Sequence, residues 1–190
     1  SNLSSLKHQT EMALSIWGPV DVLINNGAVI EPITSLEKIE LQDFEKAVRV
    51  NYLAPSLLIS YCWNNLQKNK GKVINVLSGA SINAIEGWTA YCSTKAALHM
   101  INQQTHLEGN QHGISSIGIR PGLVDTEMQG RIRASGINHV SKIKKEDLMN
   151  SEKTGLFALW CASNNANEFS GKMISENDQI VSAKYKAWIN

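Results

Sequence analysis

A tyrosine stands four residues ahead of a lysine in "GWTAYCSTKAALHM", residues 87–100. On a helix, Tyr91 and Lys95 would project from one face. A free phenol titrates near pH 10 and is a poor proton carrier at neutrality. A cation within reach favours the phenolate and brings that value down. A tyrosine tuned this way can protonate a developing alkoxide, or take the proton back in the reverse direction. The spacing alone decides little. With four Tyr and 14 Lys in 190 residues, about 0.3 such pairs arise by chance. An exposed lysine beside a half-buried core tyrosine would look the same.

Two further residues carry chemistry when read with this pair. Ser78 ends the apolar run "KVINVLS", thirteen residues before Tyr91. Its hydroxyl could polarise a carbonyl or simply serve a turn. Asn51 interrupts an apolar stripe made by Phe44, Val48, Pro55, Leu58 and Cys62. A buried amide must be satisfied, either by bracing backbone or by holding an ordered water.

The elements that would position these groups alternate along the chain. Helical patterns cover 4–17, 41–68 (with a kink at Pro55), 91–108 and 152–163. Short apolar runs at 21–26, 72–78, 115–122 and 172–175 fit buried strands. Residues 123–150 look irregular, with short helical pieces. Strands separated by such helices imply parallel pairing through right-handed crossovers, and so an α/β sheet covered on both faces. Ligands bind such sheets beyond the carboxyl ends of the strands. Those ends hold Asn25-Asn26-Gly27-Ala28, Ser78-Gly79 and Pro121-Gly122, and Tyr91 and Lys95 face the same rim.

Composition narrows the classes. Hydrophobic residues make up 43% and charged residues 18% of the chain, as in an ordinary globular domain. The net charge of +1, without a basic block, leaves no electrostatic footprint for nucleic acid. No apolar run approaches the roughly 20 residues of a membrane-crossing helix. Cys62, Cys92 and Cys161 are odd in number and widely spaced, which points to reduced thiols and a cytoplasmic location. The five histidines show no ligand spacing, so no metal site is expected.

"LINNGA", "VNYLAP", "INVLSGAS", "YCSTK" and "RPGLVDTEM" occur in the order and spacing found in short-chain dehydrogenases/reductases. This resemblance covers essentially the whole chain. "GWTAYC" followed by "PGLVDTEMQGRIR" is most similar to the branch with sepiapterin reductase and the bacterial benzil reductases that form (S)-benzoin. It implies a Rossmann-like, doubly wound parallel sheet and a single NAD(P)-binding domain over 1–190, with 123–150 as its substrate-binding loop. It implies reduction of a ketone or diketone by NADPH, with NAD possible. Tyr91 would be the acid/base, Lys95 its partner and holder of the nicotinamide ribose, and Ser78 the orienter of the carbonyl. Asn51 would distort its helix and hold a water in a proton relay. Asn26, Gly27 and Ala28 would run beside the adenine ribose, and Pro121, Gly122, Val124 and Thr126 would fix the carboxamide end. Trp88, Met128 and Ile132 would form an apolar substrate pocket, although packing explains them equally well. A homodimer or homotetramer would form through helix 41–69, using Leu53, Leu57 and Tyr61.

Three departures qualify the resemblance. The family's Asn-Asn-Ala-Gly is Asn25-Asn26-Gly27-Ala28 here, and Ala28 would be strained by roughly 1 kcal/mol if that position needed a positive φ. Ser175 replaces the aspartate with which sepiapterin reductase holds its pterin, which makes a pterin the secondary choice of substrate. No Gly-xxx-Gly-x-Gly pattern occurs. The glycine-rich, N-terminal cofactor-binding portion is therefore expected to be missing, with strand 21–26 left as an edge. The alternative function that follows is a truncated or inactive family member with a binding or regulatory role.

Overall fold

The computed structural model describes residues 2–189. In chain order its main elements are α1 (Leu3–Trp17), β1 (Val22–Asn25), α2 (Leu41–Val48), α3 (Ala54–Asn69), β2 (Lys72–Val76), α4 (Thr89–Gly109), β3 (Ser115–Ile119), α5 (Glu127–Ser135), α6 (Ser151–Ala162), β4 (Met173–Ile174) and α7 (Gln179–Ile189). The four strands are parallel and lie in the order β1-β2-β3-β4.

Alternation along β2 sets the two layers. Successive side chains of a strand point to opposite faces. Val73 packs with Ile59, Cys62 and Leu66 of α3, while Ile74 packs with Phe157, Trp160 and Cys161 of α6 and Tyr185 of α7. The expected α/β sheet with helices on both faces is present. All three cysteines are free thiols, and no helix among the described residues is long and apolar enough to cross a membrane.

Buried amides join the strands on the α4 side. Asn25 and Asn75 are direct register partners, and Asn25 donates to the Asn75 side chain at 2.9 Å. Asn75 donates to Asn102 of α4 at 3.2 Å, and Ser116 of β3 donates to the same oxygen at 2.9 Å. Asn102 then donates to the Lys172 carbonyl at 3.4 Å. Each of these side chains is at most 8% exposed, so every pairing offsets a desolvation cost. The chain of amides fixes how α4 lies across β1 to β3 and the residue just before β4.

The long helix expected over 41–68 is two helices joined by a π-helical turn, Arg49–Leu53, in which the Ala54 N–H bonds the Arg49 carbonyl. Pro55 falls in the first turn of α3. It has no N–H to offer the Asn51 carbonyl four residues back, so regular α bonding fails at that point. The disturbance therefore lies before the proline rather than at it. The buried stripe is Ala47, Asn51, Pro55, Ile59, Cys62 and Leu66; Phe44, Val48 and Leu58 are only half-buried beside it. α7 is unforeseen by the sequence pattern; its buried Val181 and Tyr185 complete the aromatic cluster on the α6 face.

Gly71 admits β1 to its place beside β2. A Cβ there would lie 2.6 Å from the Asp21 carbonyl oxygen and 2.9 Å from Leu66 Cδ2. The Asp21 carbonyl accepts the Lys72 N–H at 2.8 Å. Gly71→Ala is expected to destabilise the fold by about 1–3 kcal/mol through overpacking, measured as a lowered urea midpoint. An unchanged midpoint would show that the strand shifts freely.

Candidate active site

Ser78 lies two residues past the end of β2, where its hydroxyl oxygen accepts the Ala80 N–H at 3.2 Å. With a lone pair so engaged, its own O–H remains to donate. Gly87 takes φ +77°, and a Cβ there would meet Ile137 at 3.0 Å. This left-handed turn delivers Trp88 to the start of α4, where its ring sits edge-on to Tyr91 with centroids 5.6 Å apart. Tyr91 and Lys95 follow on one face of α4. The Lys95 ammonium lies 5.7 Å from the Tyr91 ring centroid and donates to the Val76 carbonyl at 2.6 Å.

Asn51 works from behind this face. Its side-chain oxygen accepts the Val29 N–H at 2.8 Å, and its nitrogen donates to the Val29 carbonyl at 2.8 Å and to the Thr94 hydroxyl at 3.1 Å. Thr94 lies between Tyr91 and Lys95 and bonds the Ala90 carbonyl at 2.8 Å. One amide therefore holds the loop after β1 against the helix that carries the proton-transfer pair. Of the two options open from sequence, bracing backbone is the one formed by the side chain. Asn51→Leu is expected to cost about 1–3 kcal/mol, because it leaves the N–H and C=O of half-buried Val29 without their partner. The denaturant midpoint measures this, and a loss below about 1 kcal/mol would mean that water replaces the clamp.

A cavity of about 480 Å³ opens at the carboxyl ends of the strands. Its wall includes Asn26 and Ala28 after β1, Ser78 after β2, Trp88, Tyr91 and Lys95 of the α4 region, and Pro121, Gly122, Val124 and Thr126 after β3. Met128 and Ile132 of α5 also line it. Of the rim and catalytic residues singled out from sequence, Asn25, Gly27, Asn51 and Gly79 are not in this wall. Ala28 does not have a positive φ, so the strain considered for it does not arise. Ser175 follows β4, where its N–H donates to Asp178 at 2.7 Å, and it is not part of the wall either.

Part of the remaining wall comes from residues that spacing did not reveal: Gln129 of α5 and Ser151, Thr154, Gly155 and Ala158 of α6. They arrive through a closure of the segment 123–150. Val124 and Met149 form a parallel bridge, with Met149 N–H donating to the Leu123 carbonyl at 2.7 Å and Asp125 N–H to the Met149 carbonyl at 2.9 Å. This bridge sets α6 against the cavity floor. The bridged residues lie 25 apart in sequence, and no local pattern announces such a pairing.

Burial governs the charges here. Tyr91 is 7% and Lys95 2% exposed. Desolvation raises the Tyr91 pKa, and the Ser78 hydroxyl pulls it partly back. Burial also pushes the Lys95 ammonium down to about 8. A lysine that lowers the tyrosine was expected from sequence; in this arrangement burial sets the direction of the Tyr91 shift, and the Lys95 ammonium donates to the Val76 carbonyl. At neutral pH the phenol therefore keeps its proton and can donate it. Val76 is the one protein acceptor that Lys95 bonds among the described residues. Two of its three N–H donors remain unspent beside the cavity, which suits a ligand rich in hydroxyls.

No group of three or more His, Cys, Asp or Glu suited to a metal ion occurs among the described residues. Residues 1–136 match the family model described as short chain dehydrogenase. A benzil reductase ((S)-benzoin forming) of Bacillus cereus is 36% identical over 135 residues, covering 69% of this chain and 51% of that protein. An uncharacterised oxidoreductase of Schizosaccharomyces pombe is 34% identical over 127 residues, covering 67% of this chain and 51% of that protein. The chain thus spans about half the length of these curated relatives. In three dimensions it resembles a crystal structure of a short-chain dehydrogenase/reductase from Saccharomyces cerevisiae, with a TM-score of 0.82 and 26% identity, covering 95% of this chain and 75% of the other.

Proposed function

Because the chain belongs to the short-chain dehydrogenase family, we propose that its cavity serves the reduction of a ketone or diketone with a reduced nicotinamide dinucleotide, NADPH in the first instance. The observation that carries this function is the convergence of Ser78, Tyr91 and Lys95 on one largely apolar cavity. The benzil reductases among its relatives support a carbonyl substrate with an apolar body.

When bound, the nicotinamide would supply the hydride. The chain's own residues handle orientation and the proton. Ser78 donates its O–H to the substrate oxygen. Tyr91 passes the phenolic proton to the same oxygen as negative charge grows on it. Lys95, with two unspent donors, suits the ribose hydroxyls of the cofactor. Asn26 and Ala28 on one side and Pro121 to Thr126 on the other would flank its adenosine and carboxamide ends. Segment 123–150, closed by its own bridge, would be the substrate loop. Ser175 lies outside the cavity wall and gives a pterin no anchor, which favours a small carbonyl compound. Half-buried Leu53, Leu57 and Tyr61 would lie in the interface of a homodimer or homotetramer.

The test is a panel of ketones, diketones and pterins with NADPH and NADH, followed by nicotinamide absorbance. Turnover of a ketone or diketone that favours NADPH supports the proposal. Binding of dinucleotide without turnover of any carbonyl would favour the binding or regulatory role instead.

A further inference from the structure

Six buried side-chain polar atoms lack a hydrogen-bond partner among the described residues, and three of them belong to residues of this one cavity: Trp88 Nε1, Gln129 Oε1 and Thr154 Oγ1. Buried polar atoms are nearly always paired, so each exception calls for a reason. Gln129 is the most informative. It is 5% exposed, and its neighbours on α5 that line the cavity, Met128 and Ile132, are apolar. A glutamine carboxamide on such a wall costs desolvation energy that a methionine of similar shape would avoid.

The polarity of the orphans limits what can satisfy them. Trp88 Nε1–H can only donate, and Gln129 Oε1 can only accept. A carbonyl oxygen serves the indole and leaves the glutamine oxygen unpaired. A hydroxyl group both accepts and donates. The last torsion of glutamine is broad, so the carboxamide can turn toward an arriving group at little cost.

We propose that the cavity selects carbonyl compounds that also carry a hydroxyl group, and that Gln129 reads that hydroxyl. This rests on the reductase function above and adds to it a specificity residue and a narrower substrate class. A site built to bond a hydroxyl rejects the analogue that lacks it, because the protein's own group is then left buried and unpaired. Ser78 and Tyr91 engage the reacting carbonyl, Gln129 accepts from the hydroxyl, and Met128 and Ile132 cover the apolar remainder.

The experiment compares 2-hydroxyacetophenone with acetophenone, which lacks the hydroxyl, on the wild-type protein and on Gln129→Met. The ratio of kcat/KM for the two ketones is expected to fall by about 10- to 100-fold in the variant, the range of one lost buried hydrogen bond. A fall shared equally by both ketones would mark Gln129 as a packing residue and overturn the proposal. Side-chain amide resonances of Gln129, followed while each ketone is titrated in, provide a readout free of turnover. They are expected to shift with the hydroxyketone and not with acetophenone. If neither ketone is reduced and this selective shift is still seen, the reductase function falls and the hydroxyl reading stands. If the amide responds alike to both, the hydroxyl reading falls whether or not reduction occurs.

Discussion

Tyr91→Phe is expected to lower carbonyl reduction by about 10²- to 10⁴-fold, the usual contribution of a positioned proton donor. The fold should barely notice. The substitution removes only the phenolic O–H, while the ring keeps its edge-on contact with Trp88, at 82° and 5.6 Å. Burial also raises the phenol's pKa, so near neutral pH the missing group is a proton donor and not a buried charge. Steady-state rates at saturating cofactor, read beside the thermal unfolding midpoint, check both halves. A variant that retains turnover, or one that loses stability in step with rate, would remove Tyr91 from the chemistry.

A second large effect concerns pH and Lys95. Its folded pKa of about 8 lies below the ordinary 10.5. Below pH 8 the lysine is protonated in both states, and the cost of burying the ammonium is fully present. Between about 8 and 10.5 the unfolded chain holds a proton that the folded one has released, so the free energy of unfolding rises with pH. Above that range the effect is flat. At about 1.36 kcal/mol per pH unit, the whole interval is worth roughly 3 kcal/mol. Urea unfolding of the wild type and of Lys95→Met at pH 7 and pH 10 isolates this one group, since other titrations cancel in the difference. The wild type should gain on the variant by roughly 2–3 kcal/mol across that range. Parallel pH profiles would mean that Lys95 is not desolvated as its 2% exposure implies.

How much of this was legible beforehand follows from the range of each interaction. The strand ends were readable because a parallel α/β sheet brings its carboxyl termini to one rim whatever the loops do. Tyr91 and Lys95 were readable because helical spacing is local. Asn51 announced itself as a polar residue in an apolar stripe, yet its partners, Val29 and Thr94, lie 22 and 43 residues away. The π turn was signalled by Pro55 and by the helix distortion that the family resemblance attaches to Asn51, but its exact position depends on which carbonyl the missing N–H abandons. Gln129 and Thr154 carried no signal at all, because the pairing of Val124 with Met149 decides that α5 and α6 face the cavity. The upward direction of the Tyr91 shift was not legible for a similar reason. Spacing shows the charges but not the solvent withheld from them.

The closure of residues 123–150 by the Val124–Met149 bridge also bears on the order of events in folding. The cavity wall draws on segments from Ile24 to Ala158, and contacts between such distant parts form only after the intervening chain has paid its loop-closure entropy. Helices α1 to α4 and the pairing of β1 with β2 can arise while the wall from α5 and α6 is still absent. Refolding followed by helical circular dichroism should therefore run ahead of recovery of the hydroxyketone-binding signal, so competence for ligand is a late acquisition that a largely helical intermediate would not yet possess.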